Sequence, residues 1–164
     1  MDIYILRHGK AEASSAGGGD AGRRLTKKGR EDILAAGIWM AAQGLEFDCI
    51  AASPLARAQE TAAIVAGVLE YTERPETWDC LVPGGDPDTV CREIDRKGKA
   101  SAILLVGHEP LLSALIGRII CGDGQAGIVM TKGGLAKIRD FSSTHRPSGE
   151  LHWLVTGKQI SGGK

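Results

Sequence analysis

Two histidines and two arginines stand just after three apolar runs of the chain. Arg7 and His8 follow the first run, Arg57 lies shortly after the second, and His108 follows the third. Because ligands gather outside the carboxyl ends of parallel strands, these side chains are expected to converge at one edge of a sheet. Arginine binds phosphate oxygens in pairs, and a neutral histidine can attack phosphorus. The pattern therefore predicts phosphoryl chemistry.

The neighbours of these residues also suit an anion site. Gly9 permits close approach of the backbone to a ligand. Ser53 and Pro54 open a segment whose first helical turn favours an anion through its free amides and dipole. Taken alone, His8 is interpreted as a hydrogen-bonded structural histidine. Arg57 alone is interpreted as a solvated arginine. The combination of the three segments, rather than any one of them, indicates a phosphate site.

Read together, the segments resemble the histidine phosphatase (phosphoglycerate mutase-like) superfamily, and within it the short phosphohistidine phosphatases of the SixA type. The resemblance covers nearly the whole chain and is carried by Leu6–Gly9, Ser53–Ala62 and Val106–Pro110.

The resemblance implies a role for each residue of the motifs. His8 matches the nucleophile that carries the phosphoryl group, and His108 matches a second histidine that contacts the phosphate. Arg7 and Arg57 match its two arginine clamps. The implied catalytic set is His8, Arg7, Arg57 and His108, and the implied substrate-binding set is Arg7, Gly9, Ser53, Arg57 and His108. The implied route has two steps, with hydrolysis of the phosphohistidine by water and with no metal or cofactor.

The sequence does not identify the residue that protonates the leaving group. Larger relatives carry a glutamate after the third strand, where this chain has Cys80. Asp79 and Glu76 are the possible acids, although neither matches that position cleanly. A missing acid matters less for phosphohistidine than for an alkyl phosphate, because the P–N bond becomes labile once the imidazole is protonated.

The stretch 70–101 has room for a short strand and a helix but not for a lid, so we expect an uncovered pocket that admits a side chain of another protein. The predicted function is a metal-independent phosphohistidine protein phosphatase, whose substrate is a phosphotransfer or carrier domain. The first alternative is a phosphatase for small phosphomonoesters. The second is a non-catalytic phosphohistidine-binding module, against which the Arg7-His8-Gly9 motif argues, because binding alone needs no nucleophile.

Apolar periodicity predicts the elements that position these residues. Strands are expected at Asp2–Leu6, Asp48–Ser53, Thr77–Leu81 and Ala102–Val106, and helices between Thr26 and Gly44, over 55–69, over 87–97 and after Pro110. Two further strands, 134–141 and 150–155, predict an antiparallel hairpin. A glycine-rich loop, Ala11–Arg24, is expected to be flexible and to adapt to a docked partner.

This order predicts an α/β fold: a three-layer α/β/α sandwich with a mostly parallel central sheet and an antiparallel hairpin near the C-terminus. It is phosphoglycerate mutase-like by resemblance. A length of 164 residues fits a single domain, 1–160, with a frayed tail at 161–164.

The composition limits the classes of partner that the chain is expected to bind. The chain has 20 basic and 20 acidic residues and only 4% aromatic residues, so neither nucleic acid nor an anionic membrane is an expected partner. The first apolar run stops at Arg7, too short for a signal peptide, and no later run could span a bilayer. We therefore expect a cytoplasmic monomer.

We expect no catalytic role for the four cysteines or for the two remaining histidines. No C-x-x-C pair occurs, and buried free thiols without a metal site are expected at Cys49, Cys80, Cys91 and Cys121. His145 and His152 neighbour none of the motifs and are expected to have structural or surface roles.

Overall fold

A six-stranded mixed sheet forms the middle layer of the computed structural model, which describes residues 1–123 and 125–162. The strands are β1 (Asp2–Arg7), β2 (Cys49–Ala52), β3 (Glu76–Thr77), β4 (Ala102–Gly107), β5 (Leu135–Ser142) and β6 (Ser148–Val155). Their order is β3-β2-β4-β1-β5-β6. Strands β1 to β4 are parallel to their neighbours in that group, whereas β5 pairs antiparallel with both β1 and β6.

Helices cover both faces of the sheet. They are α1 (Lys27–Ala42), α2 (Ala56–Val68), α3 (Pro87–Arg96), α4 (Leu111–Ile120) and the short α5 (Gly157–Ile160), with 3₁₀ turns at Asp20–Gly22 and Asp79–Leu81. One core cluster joins the sheet to α3 and α4, and the other joins it to α1 and α2. The predicted three-layer α/β/α architecture is confirmed.

The inner strands β1 and β4 show why their sequences are continuously apolar. In β1, Ile3 and Ile5 enter the α3/α4 core, whereas Tyr4 and Leu6 enter the α1/α2 core. Strand β4 alternates in the same way. A strand covered on both faces has no polar side, so it reads as an unbroken hydrophobic run.

Side-chain caps fix where the helices begin. Thr26 Oγ1 accepts a hydrogen bond of 2.9 Å from Gly29 N at the start of α1, as predicted. Asp86 caps α3 by accepting from the amides of Asp88 and Thr89. Helix α1 ends at Ala42, and Gly44 follows with a φ of 66°, a left-handed conformation that glycine adopts without strain.

One expectation about the elements needs correction, one helix was not predicted, and the frayed tail stays a prediction. The strand expected at Thr77–Leu81 is limited to Glu76–Thr77, because Leu81 turns into the core through the 3₁₀ turn. Helix α5 was not predicted. The expected tail begins as a turn at Ser161 and Gly162, and 163–164 lie outside the described residues.

The thiols are only in part as expected. All four cysteines are free, with Cys49 and Cys91 buried, Cys80 half-buried and Cys121 exposed where α4 ends. His145 and His152 are exposed, in agreement with surface roles. Within the described residues, no helix is long and apolar enough to cross a membrane, and no group of three or more His, Cys, Asp or Glu side chains could hold a metal ion.

Candidate active site

The two motif histidines meet because their strands are neighbours. Strand β1 pairs with β4 so that Arg7 lies opposite Gly107, and the amide of His8 donates to Gly107 O over 3.1 Å. The next residue on each strand is a histidine. The ring centroids of His8 and His108 are 4.9 Å apart. Both residues are buried: His8 is 6% exposed and His108 is 1% exposed.

The backbone beside His8 sets its tautomer. His8 Nδ1 lies 2.7 Å from the carbonyl oxygen of Gly9. Because a carbonyl only accepts hydrogen bonds, Nδ1 carries the hydrogen and Nε2 keeps its lone pair. A lone pair on Nε2 is what a nucleophilic histidine needs.

Helix α2 is tied to the backbone beside His8 through one hydroxyl. The amide of Gly9 donates to Thr61 Oγ1 over 3.3 Å, and Thr61 Oγ1 donates to the carbonyl oxygen of Arg57 over 2.7 Å. Thr61 is fully buried. It therefore fixes the segment that contains His8 relative to the helix that carries Arg57. Sequence reasoning missed this residue, although its position one turn after Arg57 places it on the same helix face.

The two arginines are held by different segments. Arg7 donates from Nη1 to the carbonyl oxygen of Met130 over 2.7 Å. Arg57 donates to Asp20, from Nη1 to the backbone oxygen over 2.9 Å and from Nη2 to carboxylate Oδ2 over 3.1 Å. Ser53 is buried, and its Oγ accepts from the amide of Leu55 at the start of α2. The predicted Arg and His residues are thus brought together at one sheet edge.

Burial and neighbouring cations keep both rings uncharged. Burial is the main cause that lowers the pKa of His8 to about 4, and the charges of Arg57, Arg7 and Lys132 lower it further. The pKa of His108 falls to about 3, mainly through burial and then through His8 and Arg57. At neutral pH the site therefore combines two neutral imidazoles with two guanidinium cations.

Several buried polar atoms of this cluster have no hydrogen-bond partner among the described residues: Arg7 Nε and both ring nitrogens of His108. Buried polar atoms are almost always paired, so three unpaired atoms in one cluster indicate a binding function. Donors from two arginines and a neutral histidine suit an anion that presents several oxygens.

The two possible acids lie apart from the cluster. Glu76 accepts from Lys97 Nζ over 2.5 Å and from Trp78 Nε1 over 2.8 Å, and the hydrogen bond from Lys97 is the main cause that lowers its pKa. Asp79 is exposed at the start of its 3₁₀ turn. In the described part of the chain, neither carboxylate forms a hydrogen bond or ion pair with His8. The expectation that one of them meets the reacting groups therefore gains no support from geometry.

The glycine-rich loop is more anchored than its composition indicates. Its ends pair through Glu12 N and Arg24 O over 2.8 Å, and Arg24 forms an ion pair with Glu60 of α2. Between these ends the loop brings Asp20 onto Arg57. Asp20 has no sequence signature, because it lies between glycines in a stretch without periodicity. The site is consequently more enclosed than the absence of a lid suggested.

Comparison with known proteins agrees with this geometry. Residues 3–82 match the Histidine phosphatase superfamily (branch 1). The phosphohistidine phosphatase SixA of Escherichia coli is 29% identical over 75% of this chain and 76% of its own length. The SixA homolog of Haemophilus influenzae is 32% identical over 73% of this chain and 77% of its own. A solved structure of the protein histidine phosphatase SixA, complexed with tungstate, superposes with a TM-score of 0.87, at 23% identity, over 98% of this chain and 99% of that one.

A doubly covered sheet with paired histidines and arginines at its carboxyl edge thus defines a phosphatase fold of the phosphoglycerate mutase type. The chain belongs to the histidine phosphatase superfamily.

Proposed function

We propose that this protein removes phosphate from phosphohistidine on a partner protein through a covalent intermediate on His8. The observation that carries the proposal is the state of His8. Its Nδ1 hydrogen is bonded to Gly9 O, its Nε2 lone pair is available at neutral pH, and its ring lies 4.9 Å from that of His108, under the influence of the Arg57 and Arg7 charges.

In the first step, the Nε2 lone pair of His8 forms a bond to phosphorus while the bond from phosphorus to the substrate ring nitrogen breaks. Arg7, Arg57 and His108 donate hydrogen bonds to the phosphoryl oxygens, on which the transition-state charge is spread. In the second step, water attacks the phosphohistidine, releases phosphate and restores the neutral ring. Each step uses only side chains of this cluster, the substrate and water.

Two observations support phosphohistidine as the substrate. Glu76 is bound to Lys97, and Asp79 is exposed, so neither of the two expected acids is placed to protonate an alkoxide. A phosphorylated imidazole that is protonated on its other nitrogen leaves as neutral imidazole without that help. In addition, the elements of the stretch 70–101 are only β3, a 3₁₀ turn and α3. The SixA relatives also carry the phosphohistidine name.

A phosphatase for small phosphomonoesters is the second candidate, and one observation favours it. His8 and His108 are nearly inaccessible, and Asp20 sits on Arg57 at the surface. A small phosphate ester reaches such deeply buried side chains more easily than a side chain of a folded protein does.

A substrate panel decides between the two. A phosphotransfer domain phosphorylated on histidine, a phosphoserine peptide and p-nitrophenyl phosphate are compared by kcat/KM. We expect the phosphorylated domain to be the best substrate, and His8→Asn to abolish turnover of all three, whereas the exposed His145→Asn control keeps it. Radiolabelled phosphate from the domain should be trapped on His8 as an acid-labile, base-stable adduct. Faster turnover of either monoester would replace this proposal with the second candidate.

A further inference from the structure

Asp20 places a carboxylate at the entrance of the site, on the outer side of Arg57. The side chain of Arg57 is only 6% exposed, whereas that of Asp20 is 60% exposed, although the two are in contact at 3.1 Å. Asp20 therefore lies between the guanidinium and solvent. Neither the sequence motifs nor the two-step mechanism above gives this residue a role.

Two arginines keep the Asp20 carboxylate ionised. Arg23 Nη1 contacts Oδ1 over 2.9 Å, and Arg57 Nη2 contacts Oδ2 over 3.1 Å. The hydrogen bonds from Arg23 and then Arg57 hold the pKa of Asp20 below its usual value. An ionised carboxylate accepts hydrogen bonds but has no proton to give, so Asp20 cannot serve as the acid for an alkoxide.

Arg57 and Asp20 can each form further hydrogen bonds while they are in contact with one another. A guanidinium has five N–H donors, and Asp20 takes two of those of Arg57, so phosphate oxygens can still be bound by the others. A carboxylate has about four acceptor positions, of which the two arginines occupy two. Asp20 can thus accept another hydrogen bond while Arg57 holds the phosphoryl group.

The direction of attack brings the leaving group toward Asp20. Displacement at phosphorus is in line, so the leaving group lies on the side opposite to His8. Because His8 is buried at the bottom of the site, that side is the entrance, where Asp20 lies.

We propose that Asp20 accepts a hydrogen bond from the protonated ring of the leaving histidine and thereby selects phosphohistidine over alkyl phosphates. The inference rests on the function proposed above. The substrate ring carries its proton on the nitrogen that is not phosphorylated. The electron pair of the breaking P–N bond goes to the other ring nitrogen, so neutral imidazole leaves with that proton. An alkoxide has no N–H to donate, and it is repelled by the same carboxylate.

Three variants test the proposal on the histidine-phosphorylated domain and on p-nitrophenyl phosphate, whose phenolate leaves without a proton. Asp20→Asn removes the charge but keeps the size and an oxygen that can accept from Arg57. Asp20→Glu keeps the charge. Asp88→Asn is the matched control, since Asp88 contacts Arg118 over 2.7 Å outside the site. Circular dichroism and thermal melting check that each variant is folded.

We expect Asp20→Asn to lower the kcat/KM ratio of phosphohistidine to p-nitrophenyl phosphate about tenfold or more, the usual effect of losing a charged hydrogen bond. Asp20→Glu should restore part of the ratio, and Asp88→Asn should leave it unchanged. If Asp20→Asn changes both substrates equally, Asp20 only positions Arg57 and the inference is wrong. If the wild-type protein prefers the monoester, the proposed function itself fails, which is a separate result.

Discussion

His8 and His108 are unusual among the buried residues because each could carry a charge and neither is paired with a carboxylate. Their pKa values of about 4 and about 3 arise mainly from burial. An unfolded histidine has a pKa of about 6.5. Below about pH 6.5 the unfolded chain therefore binds protons that the folded chain does not bind.

This difference predicts how stability depends on pH. Because the unfolded state binds more protons between pH 6.5 and the folded pKa values, the free energy of unfolding must fall as the pH is lowered through that window. Between pH 7 and pH 5 we expect a loss of about 2 kcal/mol for each of His8 and His108. Urea unfolding at the two pH values measures it.

The control for this prediction is a variant pair. His108→Gln should shrink the difference between pH 7 and pH 5 by about the share of one histidine. His145→Gln removes an exposed histidine in the hairpin turn and should leave the difference unchanged. An equal pH dependence in wild type and His108→Gln would show that His108 is not buried as a neutral ring.

Residue identities could be predicted at this scale, but their partners could not. The motif residues His8, Arg57 and His108 were visible because each follows an apolar run. The Asp20 contact was not, since a loop of glycines has no periodicity that fixes its path. Asp79 and Glu76 were considered as acids because of their order in the chain, and Glu76 instead binds Lys97, a residue 21 positions away.

At the scale of elements, close backbone contact sets α1 against the segment that follows His8. A Cβ on Gly29 would collide with the carbonyl oxygen of Lys10, and a Cβ on Gly9 would lie 2.9 Å from the carbonyl oxygen of Gly29. The amide of Thr26 also donates to Lys10 O over 2.9 Å. The first turn of α1 thus holds the backbone beside His8.

Gly29→Ala should therefore destabilise the protein and disturb the site. We expect a loss of about 1–3 kcal/mol in the free energy of unfolding, because the collision is with backbone that cannot move without shifting Gly9. Gly67→Ala is the matched control. Gly67 is also helical, but a Cβ there meets nothing within 4 Å. Alanine at this position should therefore raise the free energy of unfolding by about 0.5–1 kcal/mol.

Chemical denaturation of both variants measures the two effects, and kcat/KM reports on the site. Gly29→Ala with unchanged stability and activity would contradict the assigned role of this contact. The helix itself was predictable from Thr26 and its spacing of apolar residues. Its contact with Lys10 was not, because a glycine in a helix gives no sign of what lies against it.

At the scale of the whole molecule, the sheet has a protected centre and one very short edge strand, β3. Strand β1 is bonded to β4 on one side and β5 on the other, and its residues from Ile3 to Leu6 are nearly inaccessible. Strand β3 has two residues and one neighbour. Local opening costs least where few bonds must break.

Amide hydrogen exchange should follow this order. We expect the amides of β1 and β4 to be the slowest, approaching the rate set by global unfolding, and those of β3 and the outer side of β6 to be among the fastest. Exchange measured by mass spectrometry or NMR gives the ranking. Fast exchange in β1 would contradict its inner position in the sheet.

The layers were predictable, and the order of the strands was not. Alternating apolar runs and amphipathic segments indicated an α/β sandwich, and the polar residues between the last two strands indicated their hairpin. Nothing local shows that β1 lies between β4 and β5. That arrangement depends on which strands bury the most surface together, a property of the complete chain.

The central place of β1 has a consequence for synthesis of the protein. Asp2 pairs with Ala102, and Ile3 pairs with Ile138, so β1 is synthesised long before the two strands that it pairs with. Until then, Arg7 and His8 are present in the nascent chain without the surroundings that make them reactive. Translation that stops before β4 yields a fragment that contains His8 but no assembled phosphate site. The site thus forms only after β4 and β5 have been made, rather than growing with chain length.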